Sequence, residues 1–299
     1  MPDDFMALAE EIIERKGQLA HCRKTVEKEI LHMEILRAMS QAGILRNLVF
    51  KGGTCLRLCR GAERLSEDLD FSGGPDFDPN TMADLETHIA GHLRQHYGLE
   101  ATVRSIGAMS GHRPIHRWWA RIVTRPPPAR GTSNIGVQRI KIEVDSVRWP
   151  TGTSVVPATF PHGSVIMPSA AVAVRCVPVV QTMADKLVAL PLSIIERHNP
   201  RFRDIWDIHK FMPVSAEERR PIIEAAREDA TSRMGLDEFK GILTAVGERL
   251  PAIIASNAFR DTLRTFLPMD VAARTVDAPD YREALTNQMT EIFAQLRDT

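Results

Sequence analysis

No stretch of this chain stays apolar over the roughly 18 to 20 residues that a membrane-spanning helix needs, so a transmembrane anchor is not expected. The opening Met1-Pro2-Asp3-Asp4-Phe5 is acidic where a secretory signal would be basic, and a cytoplasmic location is the expectation. Cysteine is sparse: Cys22, Cys55, Cys59 and Cys176 form no CxxC pair, which argues against a zinc ribbon or a thioredoxin-like site. Cys55 and Cys59 fall four apart on a predicted helix and read as small buried hydrophobes on one face. Net charge is absent as well, with 38 Lys and Arg against 38 Asp and Glu, so a globally basic polyanion binder is excluded. Internal repeats and low-complexity tracts are lacking. What remains is a soluble globular composition, 43% hydrophobic and 25% charged, over 299 residues, enough for one large domain or two ordinary ones.

The zero net charge hides an asymmetry. Between Ala101 and Pro150 nine Lys and Arg face two acids, whereas from Ser215 to the end eleven face fifteen. Only the middle of the chain suits a polyanion.

Periodicity orders the elements. Val26, Ile30, Met33, Ile35, Leu36 and Met39 recur at helical steps, so the first forty-odd residues read as helix with a stop at Ala42-Gly43. Leu45 to Phe50 reads as a strand running into Gly52-Gly53, followed by a helix from Thr54 to about Glu63. Further strands are predicted at Leu69 to Ser72, Trp118 to Thr124, Val137 to Val147 and Ala171 to Val177, with a helix at Leu85 to Tyr97. Three prolines make Arg125 to Gly131 a loop. Pro178 opens a helix running to about Leu190, and the pattern after His209 is helical.

The chemistry concentrates in Phe50-Lys51-Gly52-Gly53-Thr54 and Arg64-Leu65-Ser66-Glu67-Asp68-Leu69-Asp70-Phe71. A small-residue turn at a helix N-terminus lets backbone N–H groups meet phosphate. Asp68 and Asp70 alternate with Leu69, so on a strand both carboxylates share a face and repel unless a divalent cation lies between them. Glu143, alternating with Ile140, Ile142 and Val144, supplies a third acid, with Asp145 in reserve. Three such carboxylates can hold one or two Mg²⁺ ions, the arrangement that transfers nucleotidyl groups. His88, His92 and His96 share a helical face and read as a solvent-facing polar stripe, no acid or cysteine at ligand spacing accompanying them. Arg113, Arg117, Trp118, Trp119, Arg121, Arg125 and Arg130 interleave cations with aromatics. That segment is either an RNA surface or a strand whose tryptophans are core.

The order strand, Gly-Gly-Thr, helix, Asp-x-Asp resembles the polymerase-beta type of nucleotidyltransferase. Residues Leu48 to Leu58 with Arg64 to Phe71 resemble the AbiEii-type, MenT-like nucleotidyltransferases, toxin components of abortive-infection and toxin-antitoxin systems. Ile140 to Val144 resembles the family's strand with the third acid. Met183 to Leu190 resembles the helix with its active-site lysine, Lys186, and Arg197 with Arg203-Asp204-Ile205-Trp206-Asp207-Ile208 resembles its RDxxD motif. The resemblance spans roughly Val26 to Phe211. Thr54 stands where relatives often have serine, and Leu65 replaces the usual phenylalanine.

The resemblance implies an α/β fold: a mixed-sheet nucleotidyltransferase core over residues 1–178 with leading helices, and a helical domain over 179–299 that closes over the nucleotide. It implies transfer of NMP from an NTP to RNA, at the 3′ end of tRNA, with growth arrest, and a cognate antitoxin as partner. Lys51, Gly52, Gly53 and Thr54 would meet nucleotide phosphates; Asp68, Asp70 and Glu143 would hold Mg²⁺; Lys186 would neutralise departing pyrophosphate. Asp204 or Asp207, with a preference for Asp207, is the active-site acid of its motif, and Arg203 pairs with it or reaches phosphate. Ser66 either turns the chain or acts in the site or as a modification target. Arg117, Arg121, Arg125 and Arg130 would grip RNA. Two rivals stand beside this reading: transfer to a small molecule or protein hydroxyl, and a non-catalytic RNA- or antitoxin-binding module.

Overall fold

A computed structural model describes residues 4–109, 114–125, 136–163 and 171–298. The Pro126 to Gly131 part of the predicted loop, and with it Arg130, lies outside the described residues, as does Arg113. The chain divides into two compact units, Met1–Val177 and Pro178–Thr299.

The first unit is built on a seven-stranded mixed sheet. Its strands are β1 (Val49–Lys51), β2 (Leu69–Ser72), β3 (Glu100–Met109), β4 (Ile115–Val123), β5 (Val137–Asp145), β6 (Ser154–Ala158) and β7 (Val172–Cys176), in the spatial order β3-β4-β5-β2-β1-β7-β6. The β1–β7 and β2–β5 pairs are parallel and the others antiparallel. Among the described residues, four α-helices accompany it: α1 (Phe5–Arg15), α2 (Arg23–Gln41), α3 (Gly52–Arg60) and α4 (Leu85–Tyr97).

Alternation along the strands separates two faces. Trp118, Ala120 and Ile122 of β4 and Ile140, Ile142 and Val144 of β5 are buried in one core with Ile30, Met33 and Leu36 of α2 and Ile89 and Leu93 of α4. Phe50 and Phe71 extend that core beneath the centre of the sheet, their ring centroids 5.1 Å apart. The residues between these apolar positions face the other way, and they carry the charges described below.

Several boundaries differ from the sequence reading. The leading helix is interrupted by a 3₁₀ segment at Gly17–Cys22. The predicted strand from Leu45 is a 3₁₀ turn over Ile44–Asn47, leaving Val49–Lys51 to pair. Helix α3 begins at Gly52 and stops at Arg60, where Gly61 takes φ +73°. The histidine stripe does not face solvent throughout: α4 turns His92 inward, where its Nε2 lies 2.6 Å from Glu34 Oε2 of α2.

The second unit is helical: α5 (Val179–Ile195), α6 (Phe202–Phe211), α7 (Ala216–Met234), α8 (Leu236–Ala255), α9 (Asn257–Arg264), α10 (Met269–Arg274) and α11 (Pro279–Asp298). Helix α5 continues past the predicted end at Leu190 and carries Pro191 inside it. Packing of Leu187, Val188, Leu190, Leu192 and Ile194, all buried, outweighs the hydrogen bond that a proline removes.

Candidate active site

Strand register places four charged residues in a row. Lys51 of β1 pairs with Asp70 of β2, Asp70 with Glu143 of β5, and Glu143 with Arg117 of β4. Directly paired residues on adjacent strands project to the same face. Asp68, two residues before Asp70, takes the same face, and Lys141 Nζ lies 3.4 Å from its Oδ2 and 3.3 Å from Glu143 Oε2. Arg117 Nε lies 3.5 Å from Glu143 Oε1. Lys51 ion-pairs with Asp145, the acid held in reserve by the sequence reading.

Electrostatics mark this row as short of positive charge. Burial, reinforced by the neighbouring Asp68 and Glu143 carboxylates, pushes Asp70 up to about 6, and Lys51 and Lys141 offset only part of that. Burial pulls the Lys141 ammonium down, yet Asp68, Glu143 and Asp70 together hold it above the usual lysine range. The side chains of Asp68 and Glu143 keep 30% and 23% of their surface exposed, so a ligand can reach both. Carboxylate oxygens of this kind suit a hard divalent cation, and an ammonium already bridges two of them.

The glycine turn interlocks with these acids. Gly52 opens α3 at φ +76°, a conformation that L side chains rarely adopt. A Cβ there would lie 2.3 Å from Asp70 Oδ2, and one on Gly53 would lie 2.6 Å from Arg64 Nη2 and 2.9 Å from Ser66 Oγ. Each glycine is therefore small because a named residue of the second motif occupies the space. Thr54 is 1% exposed, and its hydroxyl donates to the Asp68 carbonyl, holding the backbone of that acid. Ser66 is buried as well. From the other side, Lys28 of α2 pairs with Glu67 at 2.8 Å and His32 meets the Glu67 carbonyl at 2.9 Å. The first turn of α3 has no side-chain cap, which leaves its N–H groups to other acceptors.

A Gly52→Ala substitution is expected to cost about 1–3 kcal/mol of stability through the left-handed backbone and the clash with Asp70. Any activity that depends on the carboxylate row should fall at least ~100-fold, because a catalytic group displaced by about 1 Å loses that much. Denaturant melts and turnover on the purified variant check both, and wild-type activity in Gly52→Ala would refute the interlock.

In the second unit, Lys186 of α5 ion-pairs with both acids of the RDxxD motif: with Asp204, and with Asp207 Oδ2 at 3.0 Å. Asp204 and Asp207 lie on one face of α6, are 3% and 0% exposed, and share Lys186, itself 7% exposed. Arg201 also pairs with Asp204, a contact that its spacing of three residues signals. The Arg203 guanidinium stacks over Phe266, 4.7 Å from the ring centroid. The carboxylate row and the lysine–aspartate cluster are each formed within one unit.

Strand β4 resolves the tryptophan question in two ways. Trp118 is buried in the core, whereas Trp119 is 37% exposed on the face that carries Arg117 and Arg121. Register adds residues to that face that the sequence reading left out: Arg104 pairs with Trp119, Trp119 with Lys141, and Arg121 with Arg139. Arg125, by contrast, reaches Glu27 of α2 at 3.4 Å. A basic strip thus leads from the Asp68–Lys141 contact outward along β3, β4 and β5.

Comparison with known proteins gives a consistent result. Residues 34–295 match the family model described as nucleotidyl transferase AbiEii toxin, type IV toxin-antitoxin system. Among solved structures, MenT4, a nucleotidyltransferase toxin from Mycobacterium tuberculosis H37Rv, superposes with a TM-score of 0.60 at 21% identity. That match covers 97% of this chain and 90% of the other, and it shows a shared fold. JHP933 from Helicobacter pylori matches at a TM-score of 0.48 and 17% identity, covering 92% of each chain. No curated protein matches the chain.

Proposed function

This chain belongs to the AbiEii family of nucleotidyltransferase toxins, and on that premise we propose that it transfers NMP from an NTP to an RNA hydroxyl, at the 3′ end of tRNA, and so arrests translation. The observation that carries the acceptor is the strip of Arg104, Trp119, Arg121 and Arg139 beginning at the carboxylate row. Guanidinium groups grip phosphates, and an exposed indole stacks on an unpaired base.

The roles follow from the chemistry of each group. First-turn N–H groups of α3, at Gly52, Gly53 and Thr54, receive nucleotide phosphate at the positive end of the helix. Thr54 holds the two motifs together, Ser66 lies against Gly53, and Lys51 orients Asp145 beside them. Asp68, Asp70 and Glu143 would hold Mg²⁺, which would supply charge neutralisation for the transferred nucleotide. Lys141, bridging Asp68 and Glu143, keeps the two carboxylates converged. Glu143 receives the proton of the acceptor hydroxyl as the new O–Pα bond forms and the bond from Pα to the pyrophosphate oxygen breaks. Lys186, oriented by Asp204 and Asp207, supplies positive charge for the pyrophosphate, and Arg203 a second cation. Residues 1–178 form the nucleotidyltransferase domain and 179–299 its helical companion. The family implies an antitoxin partner, and here we propose a cognate protein that holds the enzyme inactive. No helix among the described residues is long and apolar enough to cross a membrane, and the proposed site of action is the cytoplasm.

The test is purified protein with each labelled NTP, Mg²⁺ and total RNA, beside an Asp68→Ala control. Label on RNA that vanishes in the control supports the proposal; label on no acceptor with any NTP sinks it, and label on protein or a small molecule redirects it. With RNA as acceptor, Trp119→Ala and Arg121→Ala should each raise the acceptor KM roughly 10-fold, as loss of one stacked base or phosphate contact does. Arg121→Ala should also flatten the dependence of KM on salt while leaving nucleotide affinity unchanged.

A further inference from the structure

Three of the four cysteines converge behind the glycine turn. Cys55 and Cys59 share one face of α3, and Cys176 ends β7; their sulfur atoms all lie within 4.8 Å of one another. Strand β7 runs parallel to β1, with Cys176 opposite Phe50, and the Val177 N–H donates to the Phe50 carbonyl at 3.0 Å. The chain from Phe50 reaches Cys55 through the glycine turn itself. Cys55 and Cys176 are buried, and Cys59 is partly open to solvent.

A hydrophobic packing role accounts for one or two buried thiols but not for their grouping beside a cation. Arg60, one residue after Cys59, buries its Nε with no hydrogen-bond acceptor among the described residues. Three sulfurs so close together make a soft donor set that suits a thiophilic cation.

We propose that Cys55, Cys59 and Cys176 form a three-thiolate site for a thiophilic d¹⁰ cation of the Zn²⁺ class, entered from the Cys59 side. The spacing suits it, since Zn–S bonds of ~2.3 Å in tetrahedral geometry set sulfurs roughly 3.8 Å apart. Each thiol that is still protonated releases H⁺ to solvent as its S–metal bond forms, with no electron transferred. Three thiolates with a dication leave one net negative charge, which the Arg60 guanidinium balances. Among the described residues no fourth His, Cys, Asp or Glu completes the cluster, so the remaining position belongs to solvent or an exogenous ligand. The bound ion joins the first turn of α3, its last turn and β7, and so stiffens the element that presents the glycine turn. This site is separate from the carboxylate row: soft sulfur and hard oxygen donors select different cations.

Reduced, chelator-stripped protein titrated with Cd²⁺ tests it, with Zn²⁺ added in competition. The expected result is one tight equivalent per chain, an ultraviolet thiolate-to-metal charge-transfer band bleached by Zn²⁺, and proton release on binding. Cys59→Ala and Cys176→Ala should each weaken binding at least ~10-fold, while Cys22→Ala and Asp68→Ala leave it unchanged. The metal-induced rise in Tm is read against each variant's own metal-free Tm, so a variant that merely folds less well still reports. Absence of the band, binding that survives the loss of all three cysteines, or a disulfide within the cluster that binds no cation after reduction would overturn the assignment. None of these readouts depends on nucleotidyl transfer.

Discussion

Asp70→Asn is expected to abolish nucleotidyl transfer, by at least ~1,000-fold, and at the same time to stabilise the metal-free protein at neutral pH. The first effect follows because the amide supplies no negative charge at the centre of the carboxylate row, where electrostatic groups typically contribute 100- to 1,000-fold each. The second follows from the Asp70 carboxyl being pushed up to about 6 by burial and by the Asp68 and Glu143 carboxylates. Folding therefore favours the neutral form of this group. Between its ordinary value near 4 and about 6 the folded protein binds the proton more tightly than the unfolded chain does. Stability contributed by this group is present at low pH, falls as pH rises through that window, and stays low above it. A displacement of this size corresponds to about 1–3 kcal/mol at pH 7.5, which is roughly 2–4 °C in Tm per kcal/mol for a unit of this size.

The measurement is a pair of Tm curves from pH 4 to 8 without divalent metal. Wild type should lose stability across the window relative to Asp70→Asn, and the two should converge at the acid end. Adding Mg²⁺ at pH 7.5 should raise the wild-type Tm and leave that of Asp70→Asn nearly unmoved, because the ion relieves a repulsion that the variant lacks. Parallel curves with no divergence above about pH 5 would show that the acids do not repel one another as their spacing requires.

What the sequence revealed of this site was its local part. Gly52-Gly53 and Asp68-x-Asp70 were legible because a turn and a strand alternation are short-range patterns, and strand β2 came out at Leu69–Ser72 in both readings. The reason for each glycine was not legible, since Asp70, Arg64 and Ser66 approach them from the next strand and its lead-in. Strands β3 and β6 escaped notice for a related reason. They are the two edges of the sheet, and edges tolerate the bulge at Ser105/Ala108 and Pro157, which blur alternation. With β3 went Arg104, and the partnership of Lys141 with Asp68 and Glu143 needed the β2–β5 register to appear. Cys176 joins Cys55 and Cys59 only through the parallel pairing of β7 with β1, a contact between distant segments that no local spacing encodes.

Lys186→Ala is expected to destabilise the helical unit by about 3–5 kcal/mol, the usual cost of removing one partner from a buried ion pair. Asp207 is fully buried and Asp204 nearly so, and the ammonium they share is what offsets their desolvation. Arg201 continues to pair with Asp204. Loss of activity in Lys186→Ala would then be ambiguous, because an unfolded helical unit and a missing phosphate charge both abolish turnover. Lys186→Met with Asp207→Asn separates them: the pair replaces opposite charges by groups of similar size and should recover at least half of the lost stability. Activity that stays absent in this restored double variant assigns the Lys186–Asp207 pair to the chemistry. Activity that returns with stability reduces the cluster to a structural ion pair and leaves the carboxylate row to act without it.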